Sequence, residues 1–161
     1  MTTLVGTGSV DDTRELGAAI APLLERGDTV LLAGDLGAGK TAFTQGLGRG
    51  LGVDERITSP TFTIMHSYAG AALTLLHVDV YRMDRLQEVV DLGLGELIDE
   101  GAVAVVEWGD LAAPALPPDY LEIRIEFGDG DDDRRFGLRP VGPRWVQRGA
   151  DLQRAVARWS A

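Results

Sequence analysis

The chain has 161 residues and no cysteine. That removes disulfides, thiol nucleophiles and thiolate metal ligands together, and it suits a reducing cytosol. Its two histidines, His66 and His77, stand apart in the sequence, so a zinc site is not expected. No apolar run approaches the ~20 residues of a membrane helix. The N-terminal MTTLVGTGSVDD lacks a basic start and a long apolar core, so neither a signal peptide nor an anchor is expected, and the expected location is the cytoplasm. Aromatics make up only 6% of the residues, and the 21 glycines follow no fixed period, which excludes collagen-like and low-complexity classes. One further scarcity stands out. Of the fifteen basic residues, a single one, Lys40, is a lysine.

What is present reads as one ordinary globular domain over residues 1–161, with 45% hydrophobic and 25% charged residues. The net charge of −10 argues against broad, unaided binding to nucleic acid. It is unevenly spread. Residues 1–133 carry 8 basic and 24 acidic side chains, and residues 134–161 carry 7 and 1. This basic C-terminal segment is either a solvated face or a docking surface for an acidic partner or an RNA.

Ser9-Val10-Asp11-Asp12 has the form of a helix start. Leu16, Ile20, Leu23 and Leu24 follow at helical spacing, with Gly27 as the expected stop. Thr29 to Ala33 reads as a buried strand, and Lys40 to Leu51 as a helix closed by Gly52. Leu73 to Val80 and Ala102 to Val106 are two further strand-like runs; Leu86 to Leu97 between them is helical, interrupted near Gly93 and Gly95. Tyr120 to Phe127 alternates as a half-exposed strand does. Asp129 to Asp133 is an acidic turn, Arg135 to Val141 its hairpin partner, and Gly149 to Trp159 a helix. The acidic turn imitates a calcium loop at first, but Arg134 and Pro140 occupy the positions of its glycine and glutamate. Strands alternating with helices predict an α/β three-layer sandwich, its central sheet mostly parallel with antiparallel edge additions.

Gly34 to Thr41, GDLGAGKT, satisfies G-x-x-x-x-G-K-[ST], the phosphate-binding P-loop, between a strand and a helix. The glycines let successive N–H groups curl around a phosphate, and the helix beginning at Lys40 adds its positive end. A compact ammonium on a flexible stem reaches the β- and γ-phosphates where the planar fork of arginine is too bulky. This accounts for the lone lysine. Thr41 would give its hydroxyl to Mg²⁺. P-loop enzymes also need carboxylates near the metal and the attacking group, and two end apolar strands, Asp79 and Glu107. Asp35 reads as a turn residue rather than a catalyst, and His77 as a packed or hydrogen-bonded histidine. Arg82 is either a contributor of charge to the γ-phosphate or a surface salt bridge. Gly48 to Gly52 is no dinucleotide fingerprint, because no strand leads into it. With one lysine there is no N-K-x-D guanine-reading motif.

GDLGAGKT (34–41), SPTFTI (59–64), HVDVYR (77–82) and VVEW (105–108) occur in this order and at these distances. Together they resemble the TsaE family of bacterial ATPases of tRNA threonylcarbamoyladenosine biosynthesis, over about residues 5–127. The resemblance implies ATP and Mg²⁺ as ligands and TsaB and TsaD as partners, with tRNA met indirectly through their complex and no membrane. It implies a nucleotide-binding stretch of Asp35, Leu36, Gly37, Ala38, Gly39, Lys40, Thr41 and Ala42, with Trp108 near the nucleotide. It makes Glu107, Asp79 and Lys40 catalytic and Thr41, Asp79 and Glu107 metal-binding. Ser59, Pro60 and Thr61 resemble a switch-like loop closing on the γ-phosphate. Two departures are small. Ala42 stands where a second threonine is common, and Arg56 and Thr58, not a lysine, precede the SPT stretch. A small-molecule kinase, with Arg82 and Arg85 over the phosphates, and a nucleotide sensor that barely hydrolyses ATP are the rival readings.

Overall fold

The structure is a computed structural model describing residues 1–35, 37–60, 64–80, 86–107, 114 and 116–160. Its frame is a mixed sheet. The strands are β1 (Thr3–Thr7), β2 (Thr29–Gly34), β3 (Met65–Ala69), β4 (Thr74–Asp79), β5 (Val103–Glu107), β6 (Tyr120–Phe127) and β7 (Arg134–Val141). Among the described residues they lie in the order β1-β7-β6-β2-β5-β4-β3. The neighbours β6, β2, β5 and β4 run parallel, while β7, β1 and β3 add antiparallel. The expected mostly parallel centre with antiparallel edges is therefore the observed one.

The period of two along each central strand sorts its side chains onto two cores. Val30, Leu32, Leu75, Val103, Val105, Leu121, Ile123 and Ile125 join one buried cluster. Leu31, Leu76, Val78, Ala104 and Val106 join another on the opposite face. Helices α1 (Val10–Ile20) and α2 (Lys40–Gly50) supply Leu16, Ile20, Phe43 and Leu47 to the first cluster. Of the short helices α3 (Leu86–Asp91) and α4 (Leu94–Asp99), α4 covers the second through Leu94 and Ile98. Between them Gly93 takes φ 71°, while Gly95 lies inside α4, so only the first of the two expected interruptions is one.

Ser9 caps α1, its Oγ accepting from the Asp12 N–H at 3.0 Å, while the Asp12 carboxylate takes the Gly8 N–H. The helix stops earlier than Gly27. A 3-10 turn over Ala21–Leu23 follows Ile20, because Pro22 has no N–H to extend the helical ladder. Packing of α1 on α2 depends on missing side chains. A Cβ at Gly46 would stand 1.8 Å from the Arg14 carbonyl oxygen, and one at Gly17 would stand 2.4 Å from that of Phe43. We expect Gly46→Ala to force these backbones apart and cost about 1–3 kcal/mol or more, read as a lower urea midpoint; an unchanged midpoint would mean that the helices separate freely.

The C-terminal segment is stitched into the same frame. Helices α5 (Pro143–Gln147) and α6 (Gly149–Ala155) bring Trp145, Leu152 and, just beyond, Val156 and Trp159 to the first core. Its seven arginines all find acceptors within the chain. Arg148 grips buried Asp28 through two bonds of 2.6 and 2.8 Å and lies over the Trp145 ring. Burial pulls its pKa down, but Asp28 outweighs this and holds it above the usual range. Arg139 and Arg124 clasp Glu122, which is why that residue is buried on a strand expected to be half exposed. Arg135 pairs with Asp129, Arg144 with Glu25 and Asp28, Arg154 with Asp151, Arg158 with Glu15, and Arg134 with backbone carbonyls. Charge that composition alone leaves open to outside partners is largely directed at the chain's own acidic body.

Candidate functional site

Strand β2 ends at Gly34 and the chain turns through the glycine-rich loop into α2. Ala38 N–H closes the turn on the Asp35 carbonyl at 3.0 Å. Gly37 and Gly39 take φ of 81° and 112°, conformations in which an L side chain is strained. Gly39 is the N-cap of α2, and the first N–H groups of that helix have no partner within it.

Lys40 is only 8% exposed. Its Nζ folds back to the carbonyls of Gly34 at 2.6 Å and Asp35 at 3.3 Å. Burial lowers its pKa below the ordinary lysine value, and the negative charges of Glu107, Asp79 and Asp35 oppose that shift. These three carboxylates thus share one electrostatic neighbourhood with the ammonium. The sheet explains why. Asp79 and Glu107 are register partners at the ends of adjacent parallel strands. Both lie on the face that carries Leu75, Val103 and Val105, the face on which α2 packs.

Glu107 is 3% exposed, and its Oε2 has no hydrogen bond among the described residues. His77 Nε2 lies 2.9 Å from that oxygen, and the ring is fully buried. His77 is thus a buried histidine set against the Glu107 carboxylate, within the packed or hydrogen-bonded reading of its place on β4. Asp79 is half-buried. Its N–H bonds the Ile64 carbonyl at 2.7 Å, and the Ile64 N–H bonds the Pro60 carbonyl at 2.8 Å. Ile64 does this at φ 64°, a conformation that is strained for a β-branched residue. The Ser59–Pro60 stretch is thereby tied to the end of β4, Ser59 exposed and Pro60 buried.

Thr41 and Ala42 are half-buried on the first turn of α2. Leu36, Thr61 and Trp108, and with them Arg82 and Arg85, lie outside the described residues. Two contacts escape the sequence reading. Gln45 on α2 donates to the Ile57 carbonyl at 2.8 Å and accepts from Arg14 Nε at 3.0 Å, joining the loop before Ser59 to both helices. Arg134 reaches the carbonyls of the glycine-rich loop from β7. Neither carries a local signal, since both depend on chain segments distant in sequence.

Comparison with known proteins agrees with this arrangement. Residues 7–136 match the family described as threonylcarbamoyl adenosine biosynthesis protein TsaE. The Bacillus subtilis protein of the corresponding name is 40% identical over 148 residues, 92% of either chain. The Treponema pallidum protein is 48% identical over 124 residues, 76% of this chain and 91% of its own. The Streptomyces coelicolor protein is 45% identical over 139 residues, 83% and 93% of the two chains. The crystal structure of Bacillus subtilis YdiB superposes with a TM-score of 0.78 at 36% identity, covering 96% of this chain and 95% of that one. With its sequence and fold both aligned over most of their length, the chain belongs to the TsaE family.

Proposed function

We propose that residues 1–161 work as a single P-loop ATPase domain in the cytoplasm. Its Mg²⁺-dependent hydrolysis of ATP supports threonylcarbamoyladenosine modification of ANN-decoding tRNAs through a TsaB–TsaD complex. Membership of the TsaE family supports the pathway. One observation carries the chemistry. The only lysine of the chain sits buried at the start of α2, inside the field of carboxylates that end two neighbouring strands.

Lys40 is held by two neutral carbonyls, and a phosphate oxygen is the stronger acceptor because both partners are then charged. The loop's N–H groups and the N-terminal end of α2 favour the same anion. Among the described residues no three His, Asp or Glu side chains form a ready-made metal cage. Mg²⁺ suits such a site, since it takes one or two carboxylates together with substrate phosphates. The buried carboxylate of Glu107, whose Oε2 accepts no hydrogen bond among the described residues, fits a role facing a cation or a polarised water. Thr41, Asp79 and Glu107 are the residues that would hold the ion, directly or through water; when bound it neutralises charge on the β- and γ-phosphates. Glu107 is the residue that orients the attacking water. Ser59 and Pro60, with Thr61, form the segment that answers to the γ-phosphate, because the Pro60 carbonyl is linked through Ile64 to the Asp79 strand end. Leu36 and Trp108 complete the nucleotide contacts.

Calorimetric titration of the chain with ATP, with and without Mg²⁺, tests this reading. Saturable binding that tightens with Mg²⁺ is expected, and no heat of binding under either condition would overturn it. In the same titration Asp79→Ala should weaken the response to Mg²⁺ by about tenfold, the usual scale for an outer ligand of a metal. An unaltered magnesium response would remove Asp79 from the metal site.

A further inference from the structure

The glycine-rich loop is braced from outside by a residue of the C-terminal segment. Arg134 opens β7, opposite Thr7 of β1. Its Nε donates to the Ala38 carbonyl at 3.0 Å and its Nη2 to that of Gly37 at 3.4 Å. Its Nη1 holds the carbonyls of Asp131 and Asp133 at 2.8 and 2.9 Å, and the guanidinium lies 4.8 Å from the Phe127 ring centroid. One side chain thus fastens the turn of the β6–β7 hairpin to the phosphate loop, 96 residues away from it in sequence.

The consequence follows from peptide geometry. In a trans peptide the C=O and the next N–H point in opposite directions. A guanidinium that draws the Ala38 oxygen outward therefore turns the Gly39 N–H the other way, toward the inside of the loop. Gly39, at φ 112°, has no side chain to resist either orientation. The fork supplies several rigid donors.

We infer that Arg134 is a positioning residue for ATP binding, one that presets the glycine-rich loop with the Gly39 N–H inward. The inference rests on the reading that this loop binds ATP. Preorganisation of this kind acts on affinity, whereas a residue serving only the hairpin would act on stability alone.

The test compares ATP affinity by calorimetry, kcat at saturating ATP and thermal midpoint without nucleotide. The chains are wild type, Arg134→Ala, Arg134→Lys and, as a control on the same hairpin, Arg135→Ala, which breaks the exposed pair with Asp129. Arg134→Ala is expected to raise Kd about tenfold, the scale of one hydrogen bond to a charged group, with kcat changed much less. Arg134→Lys, keeping the charge without the fork, should recover part of the loss, and Arg135→Ala should bind as wild type does. A Kd for Arg134→Ala within twofold of wild type, or a loss equal to that of Arg135→Ala, would overturn the inference. Should Arg134→Ala fail to fold, full wild-type affinity in Arg134→Lys would overturn it. A wild-type chain that binds no ATP would instead fail the reading on which the inference rests.

Discussion

Lys40→Ala is expected to abolish ATP binding, with affinity falling at least about 100-fold, the scale for removing one member of a buried charged set. The ammonium is the positive charge that Glu107, Asp79 and Asp35 face together. Without it, a triphosphate would approach three carboxylates with only the metal ion and backbone dipoles to offset them. Lys40→Arg should fail nearly as badly. The pocket that holds Nζ against the Gly34 and Asp35 carbonyls accepts a slim stem, and a guanidinium must either displace the loop or leave its donors unmatched. A chain that uses arginine at every other basic position thus keeps lysine at the one place where the loop geometry disfavours the fork. Calorimetry on both variants checks this, and wild-type affinity in either would remove the basis for a phosphate site around Lys40.

Glu107→Ala should separate binding from turnover. Its carboxylate is buried at the end of β5, 2.9 Å from His77 Nε2, with one oxygen lacking a hydrogen bond among the described residues, so its loss removes a preoriented acceptor. ATP binding should persist through the loop and Lys40. Hydrolysis should slow by about 10²–10³-fold, the usual scale for losing one preorganised electrostatic group. Glu107→Gln, which keeps the volume beside His77, should be equally slow if the carboxylate charge is what matters. Normal turnover in either variant would move the orientation of water to another residue.

The parallel centre of the sheet was legible because β2, β4 and β5 are continuous apolar runs, as strands covered on both faces must be. The convergence of Lys40, Asp79 and Glu107 followed from the same logic, since parallel strand ends meet where the loop begins. The edges were not legible. Strand β1, TLVGT, is short and contains a glycine, and β3, MHSYA, has little apolar pattern. Each becomes a strand by pairing with a neighbour, and β3 also buries Tyr68 in the first core. The five-residue α5 was too short to show helical periodicity. The pairings of the basic segment were not legible either, because the acceptor of Arg148 is Asp28, 120 residues earlier. Long-range partners of this kind are fixed by tertiary packing and leave no local mark. Arg134 and Gln45 escaped notice for the same reason.

The most direct measurement follows the γ-phosphate of labelled ATP incubated with the chain and Mg²⁺, first alone and then with TsaB and TsaD. Free phosphate released faster when the two proteins are added is the predicted result. Label that stays in ATP under both conditions, or passes to a small acceptor instead of water, would contradict it.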